Sequence, residues 1–200
     1  MTQNTPIPRW HSRGYLPHFE AGQRAQFLTL HLADSLPQEV LQNWRRMLEQ
    51  RGSEDLARSL RIKIESYLDV GYGACYLRQE AIASTVENAL LHFDGVRYRL
   101  RSWVVMPNHI HFLLTPMGDH TLSQIMHSLK SYTALKANRM LSRTGEFWME
   151  DYFDRYIRDG NHYEKTITYI ENNPVKAGFC SRPEEWRFSS AWWKAKKNPQ

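Results

Sequence analysis

Residues 103–115, Trp-Val-Val-Met-Pro-Asn-His-Ile-His-Phe-Leu-Leu-Thr, decide the fold. Pro107-Asn108 is turn chemistry between two apolar runs, so Trp103 to Met106 and His109 to Thr115 are expected to pair as a tight antiparallel hairpin. Side chains at i and i+2 of a strand point the same way, which sets His109 and His111 side by side while Ile110 turns into the core. Two neutral imidazoles so placed can chelate a divalent cation. Taken alone, a His-x-His pair is as readily a plain sheet surface.

Upstream of the hairpin, Asp94-Gly95 is a turn, and Val96 to Met106 reads as one strand. It puts Arg97, Arg99 and Arg101 on one face and Tyr98, Leu100 and Ser102 on the other. Ala25 to Leu32 reads as the first strand, with Phe27, Thr29 and His31 opposite Leu28, Leu30 and Leu32. Residues 34–93 between them form a helical segment. Ser35 with Gln38 resembles a capping box ahead of Val40, Leu41, Trp44, Met47 and Leu48, and the stripes Leu56-Leu60-Ile64-Leu68 and Ile82-Val86-Leu90-Phe93 follow at helical spacing.

Downstream, Thr121 and Gln124 form a second capping box, starting a helix that runs to Leu141 with Lys130, Lys136 and Arg139 off its apolar stripe. Tyr152 to Arg158 reads as the last strand. A final helix is capped by Asn161 and Glu164 and ended by Pro174. The order strand, helices, strand, strand, helix, strand, helix fits the α+β class, an antiparallel sheet covered by helices.

Two hundred residues at 42% hydrophobic fill one core and are too few for two comfortable domains. Residues 1–24, rich in Pro and Gly, read as an irregular arm, 25–190 as the folded domain, and 191–200 as a tail. The formal charge of +5 favours polyanionic partners. Cys75 and Cys180 lack zinc-ribbon or disulfide spacing and suit a reduced cytoplasmic chain. With no signal-peptide run and nowhere eighteen consecutive apolar residues, no membrane association is expected.

The second chemical feature is Thr168-Tyr169-Ile170-Glu171-Asn172-Asn173-Pro174. Tyr169 and Asn173, four apart, share a helix face, so a phenol and an amide oxygen could meet one ion. A tyrosine with a pKa near 10 is a poor nucleophile at neutral pH, but a metal that polarises a phosphate offsets this. Tyr152, Tyr156 and Tyr163 are rivals, read as packing or DNA-stacking residues because two lie on the strand and the third more than a turn from Asn173.

With these residues the chain resembles the REP-associated tyrosine transposases, within the single-tyrosine HUH endonucleases. The resemblance is carried by Trp103 to Phe112, Phe147-Trp148, Tyr152 to Asp159, Tyr169 to Gly178, and Trp186 with Phe188-Ser189-Ser190. It implies a ferredoxin-like sheet with the histidines on a central strand and the tyrosine on a following helix. It also implies a divalent ion, Mg²⁺ or Mn²⁺, held by His109 and His111 with Asn173 as third ligand. Tyr169 would then attack single-stranded DNA to give a 5′-phosphotyrosine intermediate and a free 3′-OH, with no nucleotide cofactor. Hairpin-forming repeats are the implied partner, for which Arg97, Arg99, Lys130, Arg155, Arg158 and Lys176 are candidate contacts. Residues 34–72 carry more helix than the minimal family pattern, and Met149 stands where Gln is common. A domesticated, non-catalytic hairpin-binding protein and a phosphodiesterase using activated water are the alternative readings. Whether the protein acts as a monomer or a homodimer stays open.

Overall fold

The computed structural model describes residues 9–12, 17–20, 22–49 and 54–197. Four strands, β3 (Gln26–His31), β4 (Tyr98–Val105), β5 (His109–Pro116) and β6 (Phe153–Tyr156), form one sheet in the order β4-β5-β3-β6, every neighbour antiparallel. Helices α1 (Gln38–Glu49), α2 (Glu54–Val70) and α3 (Glu80–His92) lie between β3 and β4 in the chain, and α4 (Leu122–Met140) lies between β5 and β6. This is the antiparallel α+β sheet expected from the element order, in the β-α-β-β-α-β ferredoxin-like arrangement that the family resemblance implies. After β6 come α5 (Gly160–Lys176) and α6 (Ser190–Lys197).

Alternation sorts the strand residues into two cores. Leu28, Leu30, Ile110, Phe112 and Leu114 are fully buried against Ile82, Val86 and Leu90 of α3 and Ile125, Met126 and Leu129 of α4. Each fully buried aliphatic of this kind stabilises the fold by about 1.5–3 kcal/mol. On the opposite face Val104, Met106 and Leu113 pack on Ile170 of α5, with Phe27, Ile167 and Tyr169 around them. A third cluster, Leu36, Val40, Leu41, Ile64 and Leu68, holds α1 and α2 together. The side chains of Trp44, Met47, Leu48, Leu56 and Leu60, read into those stripes, lie outside the described part.

Several local expectations change. The segment read as an irregular arm contains two strands, β1 (Arg9–Ser12) and β2 (Pro17–Glu20), paired antiparallel, with Pro17 at the first strand position where its missing N–H is tolerated; the rest of residues 1–21 lies outside the described residues. Arg97, Arg99 and Arg101 do not share a strand face. Arg97 precedes β4, and the register shifts between Leu100 and Ser102, so Arg101 is extra. The bulge reverses the alternation: Leu100 packs in the α3/α4 core, whereas Ser102 pairs opposite Leu113 and turns to α5.

Ser35 does not cap α1, which starts at Gln38; its hydroxyl is taken by His31 and the Leu32 carbonyl. Thr121 and Gln124 do form the expected reciprocal capping box. Asp159, rather than Asn161, caps α5, its carboxylate accepting from the His162 N–H at 2.7 Å. Pro174 sits inside the last turn of α5. The helix exits at Gly178, whose left-handed φ of 75° suits a residue without Cβ.

The segment read as a tail begins as α6. Just before it, the Phe188 carbonyl accepts from the Val105 N–H at 2.9 Å, and Trp186 Nε1 donates to the Val105 carbonyl at 2.9 Å. These contacts cover the outer edge of β4. Buried Glu87 of α3 anchors the same region, accepting from Trp103 Nε1, Trp193 Nε1 and the Arg187 guanidinium at 3.1–3.2 Å.

Candidate active site

The register of β3 and β5 sets Thr29 opposite His111 and His31 opposite His109 on the face that α5 covers. The His109 and His111 rings stand 4.6 Å apart, centroid to centroid, and the Tyr169 ring lies 5.4 Å from that of His111. Phe27 meets both, at 5.3 Å from His111 and edge-on to Tyr169 at 5.8 Å. The sheet and α5 therefore bring the two features read separately from the sequence into one place. Buried Asn173 follows one turn after Tyr169.

Hydrogen bonding fixes the way His109 faces. Asn108 spends its amide N–H on the Tyr72 carbonyl at 3.0 Å, which leaves its oxygen for Nδ1 of His109 at 2.8 Å. An acceptor opposite Nδ1 puts the proton there and leaves Nε2 with a free lone pair. His111 is held likewise through Nδ1, 2.8 Å from Thr29 Oγ1. The Tyr72 carbonyl is itself placed by a tight loop, since a Cβ on Gly73 (φ 91°) would come within 2.6 Å of the Asp34 carbonyl oxygen.

Burial keeps these imidazoles neutral. Desolvation, with the Lys176 charge adding to it, pushes His111 down to about 3. Desolvation does the same to His109, followed by the neighbouring histidines, and holds it well below its ordinary value. The Asn173 amide acts on His109 in the opposite sense, yet neither of its polar atoms completes a hydrogen bond. Among the described residues, Nε2 of His109, the Tyr169 hydroxyl and both polar atoms of Asn173 are buried and find no partner. Burial raises the Tyr169 phenol far above its ordinary value, and Glu65 and Asp69 of α2 reinforce this.

His31 was noted in the sequence only as a member of the Phe27 face, and the structure brings it to the site as the cross-strand partner of His109. Ser35 donates to the Leu32 carbonyl at 2.7 Å and so accepts from Nδ1 of His31 at 2.8 Å, leaving a buried Nε2 with no partner among the described residues. Burial lowers His31 to about 4. Period-two alternation was the available signal, but pairing across strands fixes which histidine lies beside it. Among the described residues no three His, Cys, Asp or Glu side chains are arranged to hold a metal ion.

The six candidate basic residues separate. Arg155 and Arg158 line a cavity of about 430 Å³ beside Tyr169, together with Lys165, His162, Thr166 and Glu65. Lys176 pairs with Asp69 at 2.7 Å and lies 5.8 Å from the Tyr169 ring centroid. Arg97 instead stacks on Phe93 at 3.6 Å, in a cavity between α3 and α4. Arg99 is solvent-facing on β4. The Lys130 ammonium turns inward onto the Met149 and Glu150 carbonyls. Of the rival tyrosines, Tyr152 is buried in the α3/α4 core and Tyr163 packs around Ile170.

No helix among the described residues is long and apolar enough to cross a membrane. Residues 78–173 match the family model described as Transposase IS200 like, a segment that holds both histidines, Tyr169 and Asn173 and starts after α1 and α2. The REP-associated tyrosine transposase of Escherichia coli (strain K12) is 29% identical over 94 residues, covering 46% of this chain and 54% of that protein. The chain thus matches about half the length of that curated relative. A solved structure of a REP-associated tyrosine transposase bound to a REP hairpin shares the fold, with a TM-score of 0.57 over 90% of this chain and 84% of that one at 18% identity. Residues 78–173 are therefore similar to the IS200-like transposases, and the chain resembles the REP-associated tyrosine transposases in sequence over about half its length and in fold over most of it.

Proposed function

We propose that this protein is a metal-dependent single-stranded DNA endonuclease and strand transferase that cleaves at hairpin-forming repeats through a 5′-phosphotyrosine intermediate. The observation that carries the reading is the set of buried, unpartnered polar atoms on His109, Asn173 and Tyr169. A native interior rarely leaves so many unsatisfied groups together unless a ligand completes them. Two neutral imidazoles and an amide oxygen can hold a divalent ion, with His109, His111 and Asn173 as its holders; the oxygen suits Mg²⁺ or Mn²⁺ alike, and the imidazoles suit Mn²⁺ better than the harder Mg²⁺. When bound there, the ion supplies Lewis-acid polarisation of the scissile phosphate and offsets the raised pKa of the phenol.

Tyr169 is the nucleophile. Its Oη bonds to phosphorus as the P–O3′ bond breaks; the phenol gives up its proton and the leaving 3′-oxygen gains one. One phosphodiester is exchanged for another, so a DNA 3′-OH can reverse the step and join a new strand without a nucleotide cofactor. Thr29 and Asn108 orient the imidazoles, while Lys176 places a cation beside the reacting tyrosine. The name of the curated relative and the hairpin bound in the solved neighbour support a DNA hairpin as the partner.

Incubation with labelled hairpin DNA and Mn²⁺ is expected to yield an adduct that survives denaturation and is absent from Tyr169→Phe. An adduct in that variant would remove Tyr169 from the role. Tight hairpin binding with no adduct under any divalent ion would mark the protein as a non-catalytic binder instead.

A further inference from the structure

The cavity beside Tyr169 lies toward the N-terminal end of α5, away from Asn173 and Lys176, and neither His109 nor His111 lines it. Its volume of about 430 Å³ suits one unstacked nucleotide, and Phe27 and Tyr169 give it an aromatic wall. Its cations are Arg155, Arg158 and Lys165, against the carboxylates of Glu65 and Asp159. Asp159 is already committed to the His162 N–H at 2.7 Å. Arg158 and Lys165 have no ion-pair partner among the described residues, and Arg158 is exposed.

His162 adds a directed donor. Its Nδ1 accepts from the Arg158 backbone N–H at 3.2 Å, so in the neutral ring the proton is on Nε2. An N–H donor, a guanidinium and an ammonium thus line one cavity next to the tyrosine, a combination that suits a phosphodiester better than any neutral ligand.

We infer that this cavity seats one nucleotide of single-stranded DNA adjoining the scissile phosphate, with Arg158, Lys165 and Nε2–H of His162 holding its phosphate. The inference rests on the DNA-cleavage reading but concerns binding, which can be measured without cleavage. Lys165 and His162 are positioning residues here, set one to two turns before Tyr169 on the same helix.

The test uses the full chain carrying Tyr169→Phe, with and without Arg158→Ala and Lys165→Ala, binding labelled oligothymidine over a range of salt concentrations. For single strands each phosphate contact contributes about 0.7 to the slope of log K against log salt. The double substitution, which uncovers that one phosphate, is expected to flatten the slope by about 0.7 and to weaken binding roughly 5-fold at about 0.1 M salt. Arg158→Lys with Lys165→Arg should keep the slope, which a merely structural role would not require. An unchanged slope in the alanine variant overturns the inference. Adduct formation by the protein with Tyr169 intact is scored separately: adduct with an unchanged slope sinks the cavity assignment alone, whereas a flattened slope without adduct sinks the cleavage reading and leaves the cavity as a binding site.

Discussion

Asn108 and His109 are adjacent in sequence, and their side chains meet at 2.8 Å because the Asn108 amide is pinned to the Tyr72 carbonyl. That pin makes the tautomer of His109 a consequence of the loop before α3. Asn108→Ala is expected to lower Mn²⁺ affinity by about 10–100-fold, the usual loss when the partner of a ligating histidine is removed. Isothermal titration of the metal against both proteins checks this. Unchanged affinity would mean that Asn108 serves only the turn.

Stability without metal should fall in acid. His111 at about 3 and His31 at about 4 lie far below the unfolded value of about 6.5, and His109 is also depressed. Between those values the unfolded chain binds protons that the folded chain refuses. The contribution is therefore complete above pH 6.5 or so and is lost as pH drops toward 4 and 3, by on the order of 3 kcal/mol for His31 and 5 kcal/mol for His111. Urea denaturation in a chelating buffer at stepped pH measures the slope. A stability flat between neutrality and pH about 4.5 would contradict it.

Tyr169→Phe should stabilise the metal-free protein by about 1 kcal/mol while abolishing the adduct. The hydroxyl is buried with no hydrogen-bond partner among the described residues, and its removal ends that cost while the ring keeps its contacts with Phe27 and His111. Thermal melts of the two proteins decide the point, and a lower midpoint for the variant would show that the hydroxyl has a partner in solution.

Glu87→Ala should cost about 1–3 kcal/mol, because it leaves the indole donors of Trp103 and Trp193 without their acceptor around a buried gap, while the half-exposed Arg187 guanidinium keeps water. Melting temperature and near-ultraviolet circular dichroism report it. A loss below about 1 kcal/mol would mean that the C-terminal segment is not anchored there.

Alternation along 26–32 and 103–115, the Pro107-Asn108 turn and the spacing of Tyr169 and Asn173 were all readable, because strand and helix periods are local properties. Those periods already assigned His109 and His111 to one side of β5 and the tyrosine to one side of its helix. The bulge at Arg101 was not readable: nothing in Arg97-Tyr98-Arg99-Leu100-Arg101-Ser102 signals the register shift, which arises from how β4 pairs with β5. Caps were mixed for a related reason. Thr121 is free to cap α4, whereas Ser35 is claimed by His31.

By itself, then, the sequence determined the α+β order, the histidine pair and the tyrosine that follows on α5. Tertiary structure alone decided that His31 lies opposite His109, that Glu65 and Asp69 of α2 face Tyr169, and that Arg158 and Lys165 line the cavity beside Tyr169 while Arg97 and Lys130 turn elsewhere. The physical reason is range. Periodicity orients a side chain within its own element, but which charge stands beside which is set by strand register and helix packing between residues far apart in the chain.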